Sequence, residues 1–387
     1  MRTEEPGSAE EAAEVLLSAG AAGMSVRPRG GGTKFDWGSP VDEPDIVLST
    51  ANLSRVVEHN AADLTAVLEA GVPLATAQKV FAESGQMLAL DPPLGRASER
   101  AGDGAATIGG IVATGDSGPL RHRYGGPRDL LLGMRVALSD GTVAKSGGKV
   151  IKNVAGYDLA KLFAGSFGTL GLITQVAVRL HPLPPRRVSA VGFGDDPDVF
   201  QRAAIALAHS PLELESLDIE WPEWSGRVVA RCAGAAPEPR AHEAVRMMSK
   251  VGLRAQVEEE DEYLWDGDNG RTDEATVVRV SALPSELARI IRIAQRLQGS
   301  LVARAGLGIC WVWLPPQNPD GVVAAVEDLR LSLAPFPCVV LDAPKQIRDR
   351  VDVWGSAQGT AVELMRRVKA GFDPAGVCNP GVFMGGI

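Results

Sequence analysis

The chain is short of cysteine, of long apolar runs and of positive charge, and each shortage narrows what it can be. Only four of its 387 residues are cysteine. Cys232, Cys310, Cys338 and Cys378 lie far apart and form no C-x-x-C pair. They read as free thiols of a reducing compartment and offer no cluster for iron–sulfur ligation. No run reaches the roughly 18 apolar residues of a membrane span, since even Leu130 to Leu138 is interrupted by Arg135. Met1 to Leu17 is acidic and lacks the basic region and apolar core of a secretory signal. A cytoplasmic location is expected, with any membrane association passing through partner subunits. Against 48 Asp and Glu stand only 39 Lys and Arg, a formal charge of −9, so no nucleic-acid surface is expected. Most of the imbalance is local: Glu258 to Glu274 holds nine carboxylates and only Arg271, and reads as a solvated acidic loop.

Glycine, by contrast, is abundant. The chain has 44, where average usage would give about 27. Seventeen of them lie between Gly95 and Gly171. There is no Gly-X-Y period, and 45% of residues are hydrophobic, so neither collagen nor wholesale disorder fits. The length permits two or three domains with real cores.

Ser8 and Glu11 have capping-box spacing, and Ala12, Val15, Leu16 and Ala19 continue a helical stripe that stops at Gly20. Strand-like runs follow at Met24 to Arg27, Asp45 to Leu48 and Leu64 to Glu69, with a helix from Pro73 to Gly85. Asp140-Gly141 signals a two-residue hairpin turn, and Leu172 to Leu180 alternates as a strand does. His181-Pro-Leu-Pro-Pro185 then breaks the pattern and predicts a domain boundary. Beyond it, strand and helix signals recur in an order that fits two βαββαβ-like halves across 184–345. Residues 346–387 read as a helix and a rigid Pro/Gly-rich tail that packs on something.

Three glycine clusters carry the chemistry. Arg27-Pro-Arg-Gly-Gly-Gly-Thr-Lys34 follows a strand. Its glycines permit positive φ and consecutive outward N–H groups, an anion nest to which Arg29 and Lys34 add charge. Taken alone it reads first as a flexible glycine turn, and neither a P-loop nor a G-x-G-x-x-G motif is present. The second cluster runs from Leu90-Asp91-Pro92-Pro93 through Ala106-Thr-Ile-Gly-Gly110 to Ala113-Thr-Gly-Asp-Ser-Gly-Pro119. Its small residues suit close approach to a flat ligand, and Thr107, Thr114 and Ser117 offer hydroxyls. The third is Gly147-Gly-Lys-Val-Ile-Lys-Asn-Val-Ala-Gly-Tyr-Asp-Leu159 with Gly165-Ser-Phe-Gly-Thr-Leu-Gly-Leu-Ile-Thr174.

The ordered set R-P-x-G-G-G-T-K, L-D-P-P, T-I-G-G, K-N-V-A-G-Y-D-L, G-S-x-G-T-L-G-x-I-T and F-D-P-x-G-x-x-N-P-G resembles the PCMH-type FAD-binding family of vanillyl-alcohol oxidase and the D-2-hydroxyacid dehydrogenases. The resemblance covers roughly 20–182 and 353–383. Within that family the length, the S-G-P turn and the K-N-V-A-G-Y-D-L stretch are similar to those of the E subunits of bacterial glycolate dehydrogenases. It implies an α+β architecture: an FAD domain of two α+β subdomains over 1–183, an inserted antiparallel α+β cap over 184–345, and a C-terminal segment, 346–387, returning to the FAD domain. It also implies a dissociable FAD, because the loop lacks the His or Cys used for covalent attachment in related oxidases. Pro28, Arg29, Gly30, Gly31, Gly32, Thr33 and Lys34 match the pyrophosphate loop. Asp91, Pro92, Thr107, Ile108, Gly109, Gly110, Ala113, Ser117 and Gly118 match the segments around the flavin and diphosphate. Gly168, Gly171 and Ile173 match the adenine end, and Asn379 the returning tail.

The cap departs from the family's catalytic pattern. No H-x-G-D-G-N-x-H motif is present, and His209 and His242 stand alone, so no metal site is expected. His122, in Arg121-His-Arg-Tyr124, is the histidine nearest the inferred site. Arg121, His122 and Tyr124 are its catalytic candidates, as a base and carboxylate clamp or as a basic loop touching phosphate or a partner. Trp311, Trp313 and Trp354 read as core. The resemblance therefore implies an FAD-binding subunit in a glycolate dehydrogenase-like complex, beside a catalytic flavoprotein subunit and an iron–sulfur subunit. A self-sufficient FAD-dependent oxidase or dehydrogenase of a small hydroxy acid, and a structural subunit with a vestigial flavin site, remain as alternatives.

Overall fold

The computed structural model describes residues 1–93, 106–149, 157–259, 275–355 and 360–387. Most of the acidic loop and the Lys152 to Gly156 part of the third glycine cluster lie outside these. The chain divides into two compact units: Met1–Gly118, Gly125–Leu183 and Ala357–Ile387 form the first, Pro119–Tyr124 and Pro184–Ser356 the second.

In the first unit, strands β1 (Arg2–Glu4), β2 (Val26–Arg29) and β3 (Ile46–Ser49) form a parallel sheet in the order β1-β3-β2. Helix α1 (Ala9–Ala22) begins at Ser8, whose hydroxyl accepts from Glu11 N–H. It runs past Gly20, the expected stop, to a left-handed Gly23 at φ +65. Gly20 is small for another reason: a Cβ there would lie 3.0 Å from that of Ala375. The buried stripe of α1 packs Ala12, Leu16 and Ala19 against Val26, Ile46 and Leu48, and the tail residues Val377 and Cys378 complete the same core.

The other sheet of this unit is antiparallel, in the order β4-β5-β9-β7-β8, from β4 (Val56–Asn60), β5 (Thr65–Glu69), β7 (Leu131–Ala137), β8 (Val143–Gly147) and β9 (Leu172–Arg179). The alternating strand β9 takes the central place and is buried on both faces for most of its length. The turn between β7 and β8 holds three residues rather than two: Leu138 N–H bonds Thr142 O, Gly141 takes φ +84, and Asp140 accepts from Thr142 N–H. Around the sheets lie α2 (Leu74–Ala82), α3 (Ile108–Thr114), α5 (Pro127–Leu130), α6 (Ala160–Phe163) and α12 (Thr360–Phe372), with the short ribbon β6 (Gln86–Met87) and β10 (His181–Pro182). Strand β4 and helix α3 had no distinct signal in the sequence.

The second unit is built on one eight-stranded antiparallel sheet. Its first six elements are β11 (Arg187–Gly194), α7 (Pro197–Ala208), β12 (Ser216–Trp221), β13 (Gly226–Ala233), α8 (Glu238–Val251) and β14 (Arg254–Glu258). The next six are β15 (Thr276–Ser281), α9 (Leu287–Arg296), β16 (Ser300–Arg304), β17 (Ile309–Leu314), α10 (Pro319–Leu333) and β18 (Cys338–Asp342), followed by α11 (Lys345–Arg348). The order β14-β11-β13-β12-β16-β17-β15-β18 reads fourth-first-third-second and then the reverse, so two like halves meet through β12 and β16. Leu217, Ile219 and Trp221 point to the helices, where Phe200 of α7 meets Trp221 edge-on. The register places Ser216, Asp218, Arg231, Arg279, Arg304, Trp311 and Trp313 on the face away from α7 and α8.

Candidate cofactor site

The first unit carries a cleft, open to solvent, with a cavity volume of about 100 Å³. Pro28, Arg29, Gly30, Gly31, Gly32, Thr33 and Lys34 line it together with Thr107, Gly109, Gly110, Ala113, Gly168, Gly171, Ile173 and Asn379. Asp91, Pro92, Ile108, Ser117 and Gly118, expected at the same site, are not in its wall. Ile108 is core, while Gly118 and Asp91 pack on each other so closely that a Cβ on Gly118 would overlap Asp91 O. Thr114, whose hydroxyl the sequence offered, lines the cleft too, while sequence reasoning missed Arg27, Phe35, Trp37, Thr50, Ala70, Ile111, Phe167 and Leu172. Those flanking or interleaved with glycines carried a signal in their position; Thr50 and Ala70 are brought in by the ends of β3 and β5.

The glycines do different jobs. Of Gly30, Gly31 and Gly32, only Gly32 takes a positive φ, +74. Gly30 is small because its Cβ would fall 2.1 Å from Thr107 Oγ1. Among the described residues, none accepts a hydrogen bond from the amides of Gly30, Gly31, Gly32, Thr33 or Lys34. In the α3 segment the amides are already committed: Ile108 N–H bonds Val72 O, Gly109 N–H bonds Ala70 O, and Gly110 N–H bonds the Thr107 cap. A Cβ on Gly110 would meet only Thr107 Oγ1 at 3.2 Å, so the rest of its surroundings is cleft. These are the features an extended dinucleotide requires: a run of free donors for its phosphates and a wall with no side chain where a flat group lies.

Lys34 is not the free charge that the sequence suggested. Its ammonium lies 3.1 Å from Asp116 Oδ2, with both side chains 6% exposed, and also donates to Pro93 O. The tail adds Asn379 to the lining, beside the strand that leads into the loop. Asn379, at φ +47, bonds Val26 O through its N–H and Phe167 O through its side chain, and Phe167 is itself left-handed at φ +56. Behind them Asp373 accepts from Val377 N–H and Cys378 N–H and pairs with Lys369, which also bonds Thr169 O and Cys378 O. Burial opposes the Asp373 charge, yet Lys369, Ser139 and the Cys378 amide hold its pKa below the ordinary value. The Asp of the terminal motif thus pins the turn that presents Asn379.

Arg121, His122 and Tyr124 form α4 (Arg121–Tyr124) and belong to the second unit. Tyr124 OH reaches Glu215 at 3.5 Å, Glu215 pairs with Arg187, and Arg123 bonds Glu213 O. Burial, then the Glu215 charge, raises the Tyr124 pKa. His122 packs on Gly306 with Nδ1 buried and without a partner among the described residues. Burial, then Arg123, lowers its pKa, which favours neutral imidazole. Among the described residues no group of His, Cys, Asp and Glu is placed to hold a metal, and no helix is long and apolar enough to cross a membrane.

A family model of the FAD binding domain matches residues 3–147, and one of the C-terminal domain of FAD linked oxidases matches residues 354–383. The chain thus carries the FAD binding domain and the C-terminal domain of FAD linked oxidases. FAD is accordingly its cofactor, and the unit with the glycine cleft is the one both matches fall on. This FAD-linked oxidoreductase is 24% identical over 421 residues to an uncharacterized FAD-linked oxidoreductase of Mycobacterium tuberculosis, across 98% of the chain and 90% of that protein. It is 31% identical over 216 residues to glycolate oxidase subunit GlcD of Bacillus subtilis, across 55% of the chain and 44% of that protein. With glycolate oxidase subunit GlcE of Escherichia coli it shares 38% over 134 residues, 35% of the chain and 36% of that protein. The matches to these two subunits thus span less than half of their length. The solved structure of p-cresol methylhydroxylase shares the fold, with a TM-score of 0.74 at 16% identity over 98% of the chain and 88% of that structure.

Proposed function

We propose that this FAD-linked oxidoreductase is the FAD-binding subunit of a complex that oxidises a small 2-hydroxy acid of the glycolate class, working beside a catalytic flavoprotein subunit and an iron–sulfur subunit. One observation carries the cofactor half of the reading: five successive amides, Gly30 to Lys34, stand without acceptors among the described residues in the wall of a cleft rich in glycine. They would hold the diphosphate, with Gly110 under the flat part of the cofactor and Asn379 completing the lining. No His or Cys is among the lining residues, which supports a dissociable FAD. Bound there, FAD supplies two-electron acceptance.

The names of the GlcD and GlcE relatives support the glycolate class and an assembly of several subunits. In the second unit Arg304 lies 5.0 Å over the Trp311 ring and is already paired with the buried carboxylate of Asp218, so it adds no support for a substrate class. His122 supplies a neutral nitrogen for a proton, the form a general base needs.

The test is flavin uptake followed by anaerobic titration of the purified chain with glycolate and D-lactate, alone and with its partner subunits. A yellow protein that keeps its visible absorbance alone and loses it only with the partners supports the subunit reading. Bleaching by substrate alone assigns self-sufficient catalysis instead, and a colourless chain that takes up no FAD assigns a vestigial site.

A further inference from the structure

We propose that Lys34 and Asp116 form a charge-neutral latch that sets the shape of the cofactor loop, and that Lys34 is a positioning residue rather than a phosphate ligand. The inference deepens the reading of the glycine cleft as the FAD site and rests on it.

Three separate stretches of chain converge on one ammonium group. Lys34 ends the glycine loop, Asp116 belongs to the turn after α3, and Pro93 follows the L-D-P motif. The Lys34 Nζ lies 3.1 Å from Asp116 Oδ2 and 3.3 Å from Pro93 O. Its third side faces the Trp37 ring, 5.7 Å from the centroid. Of the three donors of an ammonium, one is hydrogen-bonded to Pro93 O, while Asp116 and the Trp37 ring hold the group by charge and by cation–π contact. Asp116 is fixed in turn, because its Oδ1 accepts from Ser117 N–H at 3.0 Å. Its Oδ2 accepts no directed hydrogen bond among the described residues, so charge holds this side of the pair.

Two opposite charges this deeply buried cancel at the range of a bound ligand. A diphosphate near the loop then meets neutral backbone donors, and the side chain fixes where those donors point. Removing either partner leaves a buried charge without its counterpart, whereas removing both does not. A phosphate ligand behaves otherwise: loss of Asp116 would free its charge and tighten FAD, and its own loss would flatten the salt dependence of binding.

The experiment measures the FAD dissociation constant as a function of salt for Lys34→Met, Asp116→Asn and the double variant Lys34→Met/Asp116→Leu, with thermal melting of the apo chains as a fold control. The latch requires each single variant to weaken FAD by about tenfold or more and to melt earlier. It requires the double variant to recover to within about threefold of wild type with an unchanged salt slope. Tighter binding by Asp116→Asn, or a double variant no better than Lys34→Met in binding and melting, overturns it. Gly110→Leu separates the two levels. If that variant binds FAD normally, the placement of the cofactor fails; if it loses FAD while the double variant shows no rescue, only the latch fails.

Discussion

The two units leave polar groups unsatisfied in different ways. In the first, backbone is left open: the amides of Gly30 to Lys34 have no acceptor among the described residues, and these residues line a cleft rich in glycine. In the second, it is mostly side chains that are left open, where the first has Asp116 Oδ2 and Ser139 Oγ among the described residues. His122 Nδ1, Ser216 Oγ, Arg304 Nε and Trp313 Nε1 are buried with no partner among the described residues. Unpaired buried polar atoms are costly and uncommon. Backbone donors suit a ligand recognised by its phosphates, the same for every member of a cofactor class. Side-chain donors on a β-sheet are set by the residues chosen at each register position, so they suit a ligand that differs from one protein to another.

The strongest way to break this comparison is to fill the backbone site. Gly110→Leu should weaken FAD by at least about a hundredfold, because its side chain enters the space reserved for the ligand, while the apo chain should melt within a few degrees of wild type. Isothermal titration and melting curves read the two effects. Retained affinity would mean that the open amides serve something else. A second route removes the clasp behind the site. Asp373→Ala takes an acceptor from Val377 and Cys378 and a partner from Lys369, and should cost about 2–4 kcal/mol in urea unfolding.

The same carboxylate predicts a pH dependence. Its folded pKa lies below its ordinary value, so its contribution is complete above about pH 4 and is lost as pH falls through the lower, folded pKa. Acid unfolding of Asp373→Asn, followed over that window, should be shallower than that of wild type. In the second unit, Tyr124→Phe should cost under about 1 kcal/mol, because its contact with Glu215 is long at 3.5 Å. The smallest effect concerns the thiols. Burial raises all four, Cys232 and Cys338 to about 11 and Cys310 to about 12, with Cys378 higher still and further raised by Asp373. Alkylation of the folded protein at neutral pH should modify none within the time that labels the unfolded chain, as mass spectrometry would show.

How much was legible in the sequence follows the same division. The glycine loop alone could be read as a turn or an anion nest, and FAD and the terminal Asn379 came only with the resemblance of the whole ordered motif set. In the second unit the recurring order of strand and helix signals showed two like halves. Helix α3 did not show, since Ile108-Gly-Gly-Ile-Val-Ala-Thr114 contains two glycines and its start is fixed by packing on Ala70 and Val72. The pairing of Lys34 with Asp116 spans 82 positions and leaves no local trace. Nor does the sequence near Arg121 reveal that six residues between Gly118 and Gly125 join the other unit; that depends on Glu213, Glu215 and Gly306, far along the chain. The arginines of the sheet face are visible only once the register of β12, β15, β16 and β17 is known.

The clasp has a consequence for how the protein is made. Gly30 enters the world about 350 residues before Asn379, which the ribosome reaches only after the whole second unit has been synthesised. At roughly 5–20 residues per second that interval is about 20–70 s. Throughout it, the loop that will hold the nucleotide waits beside a core that still lacks Val377 and Cys378. The inserted unit has the first opportunity to fold, and cofactor capture becomes a late event in the life of the nascent chain.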